Sequence, residues 1–235
     1  MLTCPSCAQA IRPNSGQCDA CAVRLGYDAH AKPFAALPAI VPGNVLAVHD
    51  FSKVPLPGMT VRAKTWDDGD SLTATDQGIL LTLLSGMRWF NQPYLRIRDT
   101  CVRASFDVYD SELRARVVAR KQSIGDASLW YELAVTPHDQ HYRLARLFTA
   151  PEQSDNTNLS GPERQQVIFA KGTNVLELRS QGPTLEAWIN GVKICAVHDA
   201  ALGIGGVAIG IGSFASGKKP QRALFRWLEV REVAP

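Results

Sequence analysis

The chain has 235 residues, 46% hydrophobic and 20% charged, with a formal net charge of +3. That composition is ordinary for a globular protein and fits one large all-β domain with a small appendage. The charge is too small to specify a nucleic-acid or anionic-membrane partner. No stretch approaches the ~20 apolar residues of a membrane helix. The opening residues lack the basic and apolar regions of a secretory signal, so a cytoplasmic, reducing setting is expected.

The first unit is Cys4-Pro5-Ser6-Cys7, followed after ten residues by Cys18-Asp19-Ala20-Cys21. Two CxxC pairs at this separation suit a tetrahedral zinc site with all four positions filled by thiolates, hence structural rather than catalytic. With Ile11, Val23 and Leu25 as its main apolar residues, the segment has almost no core, and zinc must supply most of its folding free energy. Two disulfides would need an oxidising compartment, and a redox CxxC would need a βαβ context that the chain lacks. Residues 1–26 resemble the short bacterial zinc ribbons of the form CPxCG…CxxCGxxL, except that Ala8 and Ala22 replace the usual glycines. Such ribbons often recognise protein or nucleic acid. Here Arg12 and Arg24 stand without aromatic neighbours, which disfavours nucleic acid.

Residues 27–43 read as a semi-rigid linker, punctuated by Pro33, Pro38 and Pro42, with Phe34, Leu37 and Ile40 able to dock on a neighbour. In similar bacterial proteins a membrane helix often follows the ribbon; none is read here, and a soluble molecule is expected.

Residues 44–235 read as β throughout, in short strands separated by Gly, Asp, Asn and Pro, which indicates a sandwich or jelly roll. Strands are predicted over 45–51, 60–63, 71–75, 79–84, 94–97, 102–109, 116–120, 129–136 and 142–149. A loop is predicted over 151–163 and a strand over 166–170, before the last strands from Asn174 to Val233. Asn190-Gly191 marks a two-residue hairpin, because a type I′ turn needs positive φ at both positions. Pairing outward from it sets Ile189 against Val192, Ala187 against Ile194 and Leu185 against Ala196 on one face. Glu186, Trp188, Lys193 and Cys195 fall on the other, where Trp188 with Lys193 is the outward feature to probe. Phe225 and Leu228 have opposite parity, so placing both inside requires a bulge at Arg226-Trp227.

Several motifs stand in a telling order: Asp50-Phe51, Trp130-Tyr-Glu-Leu133, His141-Tyr-Arg-Leu144, Asn174-Val-Leu-Glu-Leu178, the Asn190-Gly191 hairpin, Asp199-x-x-Leu202, Gly206-Val-Ala-Ile-Gly-Ile211 and Phe225-x-x-Leu228-x-Val230. In this order the region resembles the concanavalin A-like lectin/glucanase jelly rolls, especially laminin G-like domains. The resemblance implies a two-sheet sandwich. Glycosidases of this fold carry paired acids in an ExDxxE-like pattern on one strand. The nearest acids here, Asp107, Asp110 and Glu112, have the wrong spacing and read as solvated turn residues.

Trp66-Asp-Asp-Gly-Asp70 has the acidity of a calcium loop but reads as a polar hairpin turn, and His138-x-x-His141 reads as a surface loop. Cys101 and Cys195 are expected as buried small hydrophobes. Lys218, Lys219 and Arg222 form a small basic patch. Trp89, Phe90, Tyr94, Trp130 and Tyr131 are the aromatics available for sugar stacking, of which Trp89, Tyr94, Trp130 and Tyr131 are the candidate ligand residues. No catalytic constellation is evident. The leading reading is therefore a non-enzymatic interaction module that binds a protein partner or joins a larger assembly; the alternative is a carbohydrate-binding, lectin-like domain, and less so a glycoside hydrolase.

Overall fold

A computed structural model describes residues 2–3, 10–11, 39–53, 63–65, 70–84, 86–213 and 219–234. The four cysteines of the predicted ribbon lie outside the described residues. β1 (Leu2–Thr3) and β2 (Ala10–Ile11), on either side of Cys4 and Cys7, pair antiparallel.

Alternation at a period of two builds the rest. The remaining strands are β3 (Pro42–Asp50), β4 (Ala63–Thr65), β5 (Ser71–Thr75), β6 (Gly78–Leu83), β7 (Gly86–Ile97), β8 (Thr100–Val108), β9 (Leu113–Ile124), β10 (Ala127–Thr136), β11 (His141–Ala150) and β12 (Gln153–Arg164). After them come β13 (Thr173–Gln181), β14 (Thr184–Ile189), β15 (Val192–His198), β16 (Gly205–Ser213) and β17 (Gln221–Val233). They form two antiparallel sheets. The six-stranded sheet has the order β12-β11-β10-β9-β16-β7. The nine-stranded sheet runs β15-β14-β13-β8-β17-β6-β5-β4, with β3 pairing the far half of β17. The sheets face each other across one apolar core. Leu113, Ala115, Val117 and Ala119 of β9, Leu133 and Val135 of β10, and Ile209 and Ile211 of β16 meet Val102, Ala104 and Phe106 of β8 and Leu176 and Leu178 of β13. Each fully buried Leu, Val, Ile or Phe contributes on the order of 2 kcal/mol, which is what holds the sheets together.

The Asn190-Gly191 turn has positive φ at both residues, 51° and 80°. The Asn190 side chain also accepts from the Val175 amide (2.7 Å) and donates to the Val167 carbonyl (2.6 Å). Beyond Trp188–Lys193 the pairing shifts by one residue, so Ala187 faces Cys195 and Leu185 faces Val197. The bulge at Ile194 reverses the expected parity. Cys195 and Val197 join the core, and Ala196 turns to the outer face with Glu186. The bulge in β17 falls where parity requires it: the register with β8 shifts between Phe225 and Trp227, and Phe225 and Leu228 are both buried.

Three segments differ from the sequence reading. Residues 153–164 form the edge strand β12 rather than a loop. Its Ser, Asp, Asn and Thr residues lower β propensity but suit an edge whose outer side meets water. Residues 166–170 form a turn, not a strand. The amide of Asn174 takes both the N–H and the C=O of Phe169, Gln140 donates to the Ile168 carbonyl, and Ile168 is buried in the core. The strand expected over 94–97 begins at Gly86, because Pro93 sits in an edge strand, where a missing N–H is tolerated.

Ile40 of the predicted linker docks on the nine-stranded sheet. It is buried, its N–H donates to Glu186 (3.2 Å) and its carbonyl accepts from Arg179 (2.6 Å). Arg120, in the left-handed region at φ 53°, is buried within β9 where its register with β10 shifts. It donates to the carbonyls of Arg98 (2.8 Å), Gly182 (2.6 Å) and Leu202 (2.8 Å), tying three connections together.

Candidate functional site

The outer face of the six-stranded sheet is set by register. One row across it reads Trp89, Gly210, Arg116, Ala134, Arg143. The next reads Asn91, Ala208, Val118, Glu132, Ala145, Asn158. A third carries Trp130, Leu147 and Asn156. Every outward position of β16 from Gly206 to Gly212 is Gly or Ala. That absence of side chains lets its neighbours lie flat: a Cβ on Gly210 would collide with the Trp89 ring, and one on Gly212 would stand 2.7 Å from an Arg116 guanidinium nitrogen.

Trp89 and Trp130 meet edge to face, with centroids 5.8 Å apart at 74°. Such a pair adds about 1 kcal/mol beyond its buried area. The Arg116 guanidinium and the Lys121 ammonium each lie 5.6 Å from the Trp89 ring centroid, and Lys121 donates to Asn91 Oδ1 at 2.8 Å. Burial lowers the Lys121 pKa. Trp130 is 4% exposed and buried among Val118, Ala145, Leu147 and Ala208, whereas Trp89 keeps part of its surface in solvent. The centre of the face is thus filled by its own side chains. Trp89, Asn91 and Lys121 form its accessible shoulder.

Beside the tryptophans sits an ionic cluster. Glu132 is fully buried and accepts from Arg116 (3.1 Å) and Arg143 (3.0 Å), and the Trp130 indole N–H approaches it at 3.4 Å. Arg114, two residues from Arg116 on the same face, donates to Thr136 Oγ1 (3.3 Å). Burial, then the neighbouring Arg143 and Arg116, lower its pKa to about 10. Burial also lowers that of Arg116. The outward positions of β10 hold Trp130, Glu132, Ala134 and Thr136, with a single carboxylate held between two arginines.

The predicted aromatics divide accordingly. Trp89 and Trp130 come together; Tyr94 belongs to the same strand as Trp89. Tyr131 points the other way, into the core, where its hydroxyl donates to Asp199 Oδ1 (2.8 Å) and accepts from the Leu202 amide (3.0 Å); burial raises its pKa. Glu132, Arg116 and Arg143 were not singled out in the sequence. The signal was the alternation Arg114-x-Arg116-x-Val118, Trp130-x-Glu132-x-Ala134 and Arg143-x-Ala145-x-Leu147, which puts them on one face once the register is known.

The acids weighed for hydrolysis lie elsewhere. Asp107, on the outer face of the nine-stranded sheet, pairs with Arg226 at 2.6 Å. Asp110, in the turn after β8, pairs with Arg222, and the Glu112 amide donates to Gln221. His138 and Asp139 lie exposed in the turn between β10 and β11. Cys101 and Cys195 are buried free thiols; burial pushes Cys195 up to about 11, and Cys101 donates to Glu177 (3.0 Å). Among the described residues no group of three or more His, Cys, Asp or Glu is placed to hold a metal ion.

The outer face of the nine-stranded sheet is a cross-strand charge ladder. Arg103 bridges Glu177 (3.2 Å) and Glu229 (3.2 Å), Arg179 pairs with Glu177 (2.6 Å), and Arg231 pairs with Glu229 (2.8 Å). Trp188 and Lys193 both donate to Glu186, and the Arg179 guanidinium lies 3.9 Å from the Trp188 ring centroid. Two shallow cavities of about 610 and 440 Å³ flank the Asp76-Gln77 turn on this side, with Tyr109 and Arg222 in one and Arg226 and Trp227 in the other.

This architecture is a two-sheet jelly-roll β-sandwich, the fold also found in glucanase and galectin-like structures. Among solved structures, the chain is similar to a galectin-like protein of unknown function from Bacillus subtilis. The identity is 12% and the TM-score 0.56, covering 83% of this chain and 99% of that one. It is also similar to an endo-acting O-glycanase of human gut microbiota, at 10% identity and TM-score 0.55, covering 81% and 100%. A third is the Bacillus licheniformis β-glucanase, at 10% identity and TM-score 0.50, covering 81% and 99%. At these identities the likeness is one of fold. Neither protein-family models nor curated proteins match the sequence. No helix among the described residues is long and apolar enough to cross a membrane.

Proposed function

We propose that the jelly roll is a carbohydrate-binding domain without hydrolytic activity, and that it takes its ligand on the shoulder of the six-stranded sheet formed by Trp89, Asn91 and Lys121. The observation that carries this reading is the partly exposed Trp89 indole, packed on Gly210 and against Trp130, with the Lys121 ammonium over the ring and donating to the Asn91 side-chain amide. A flat aromatic edged by hydrogen-bonding groups is what a sugar ring requires. Glycoside hydrolysis requires two carboxyl groups about 5–10 Å apart across the sugar, and among the described residues of this face Glu132 is the one acid, engaged by two arginines. The similar solved structures include enzymes acting on glycans, which supports a carbohydrate ligand as analogy of fold. Tryptophan fluorescence and a glycan array on the full chain test the reading. Trp89→Ala should abolish binding, and Trp188→Ala on the opposite sheet should leave it intact. Binding unaffected by Trp89→Ala, or an array without a single ligand, overturns it.

A protein-interaction module is the second reading, favoured by the edge strand β3 and the residue before it, where Val41, Val45, Leu46 and Val48 are exposed. An unpaired apolar edge is a template for strand addition. Either reading is compatible with a structural zinc ion on Cys4, Cys7, Cys18 and Cys21, for which the spacing and the β1–β2 pairing around the first CxxC are the support. Elemental analysis of the purified chain should give one zinc, lost on Cys18→Ser with Cys21→Ser; a zinc-free protein would dismiss the assignment. A cytoplasmic location belongs to the same proposal, because it keeps these thiols reduced.

A further inference from the structure

We infer that the ligand of this face is anionic: an acidic glycan whose carboxylate or sulfate is held by Arg143, the more open of the two arginines on Glu132, with the charge of Arg116 behind it and the Trp89 platform alongside. The inference rests on the carbohydrate reading for the sugar but on separate observations for the charge. Arg116 and Arg143 flank Ala134 in one row of the sheet, and both spend a guanidinium nitrogen on the same carboxylate, Glu132. Arg114 and Lys121 lie on the same face. The Nε–H of Arg116 and the Nε–H of Arg143 are buried without a hydrogen-bond partner. Arg116 is 4% exposed, so its unpartnered donor is held in place rather than left to solvent.

Buried cations are normally matched by acids, and a buried N–H is normally satisfied. On the opposite sheet three arginines, Arg103, Arg179 and Arg231, share two acids, Glu177 and Glu229, and the Arg103 Nε lies 3.2 Å from Glu177. Here two guanidinium groups are tied down by one shared carboxylate, which leaves donors and positive charge over. A guanidinium fork matches the planar oxygens of a carboxylate or sulfate and forms short, charge-assisted bonds with them. Ala134 and Gly210, between and beside the two arginines, add little or no bulk above the sheet at that point. A neutral sugar would satisfy the Trp89 platform and leave the excess charge unanswered. An acidic one answers both.

The test titrates the full chain with three ligands while tryptophan fluorescence and thermal melting are followed: a neutral oligosaccharide, a uronic-acid or sulfated oligosaccharide of the same length, and inorganic sulfate. The acidic oligosaccharide should bind roughly tenfold or more tightly than the neutral one, and its affinity should fall steeply with salt. Arg143→Gln and, separately, Arg114→Gln should lower affinity for the acidic ligand and leave that for the neutral one within about twofold. If Arg143→Gln unfolds the protein, Arg114→Gln and the comparison of ligands on the native chain still decide. Neutral and acidic oligosaccharides bound alike, with affinities insensitive to both substitutions, would overturn the anionic inference and leave the carbohydrate reading standing. Sulfate stabilisation lost in Arg143→Gln, with no glycan bound, would keep the anion site and remove the carbohydrate reading. No response to any of the three would remove both.

Discussion

The two sheets wear their charges differently on their outer faces. On the nine-stranded sheet Arg103, Arg179, Arg231 and Lys193 each have a carboxylate within 3.4 Å, and Ile40 covers part of the surface. That face is closed on itself: its charges hold strands in register and hold the chain before β3 in place. On the six-stranded sheet two arginines share Glu132, a third stands beside them, and a tryptophan lies on glycine. On the ladder the cations are spread over a chain of acids across neighbouring strands, whereas on the six-stranded sheet both arginines converge on one buried acid beside an aromatic, which is where the proposed ligand is placed.

The largest effect should come from Glu132→Leu. It strands Arg116 and Arg143 without their shared acid, and removing one partner from a buried pair costs about 3–5 kcal/mol. Urea unfolding measures it, and a loss below about 1 kcal/mol would mean that the arginines are satisfied some other way. Next, Gly210→Val should expel the Trp89 ring from its bed, with a cost of about 1–3 kcal/mol and a displaced indole N–H resonance. Gly206→Ala, whose Cβ would stand 3.6 Å from its nearest neighbours, should do neither. A Trp89 resonance indifferent to the size of residue 210 would contradict the packing described.

On the ladder the effects should be smaller. Arg103→Met should cost only about 1 kcal/mol, because Arg103 is a third exposed and Glu177 and Glu229 keep Arg179 and Arg231 as partners. Smallest is the acid response. Arg231 holds the Glu229 carboxyl below its ordinary value of 4.5. A depressed folded-state pKa gives stability that is present above the unfolded value and lost as pH falls toward the folded one. Glu229→Gln should therefore flatten the stability profile below about pH 4.5 and leave neutral pH nearly unchanged.

The fold was legible in the sequence where local chemistry is specific. Asn190-Gly191 could be little else than a hairpin turn, and the clash of parity between Phe225 and Leu228 located a bulge. Ile194 carried no such clash, so its bulge, and with it the side that Cys195 faces, could not be read. β12 stayed hidden because its polar residues serve an edge, and residues 166–170 looked like a strand because an apolar loop that plugs a core has a strand's composition. The site was half legible: Trp89 and Trp130 stood out as aromatics. Glu132 and Arg143 looked like ordinary strand charges, since what distinguishes them is cross-strand register, which no single strand contains.

Arg120 has a consequence for how the molecule comes apart. Its guanidinium joins carbonyls 22, 62 and 82 positions away along the chain. Contacts that span such loops form after the entropy of closing them has been overcome, which places the clamp late in folding. An interaction absent from the transition state leaves the refolding rate alone and slows only escape from the native state. Arg120 is thus a latch on lifetime: Arg120→Met should leave the folding arm of the chevron in place and raise the unfolding arm, trading persistence for nothing gained in speed.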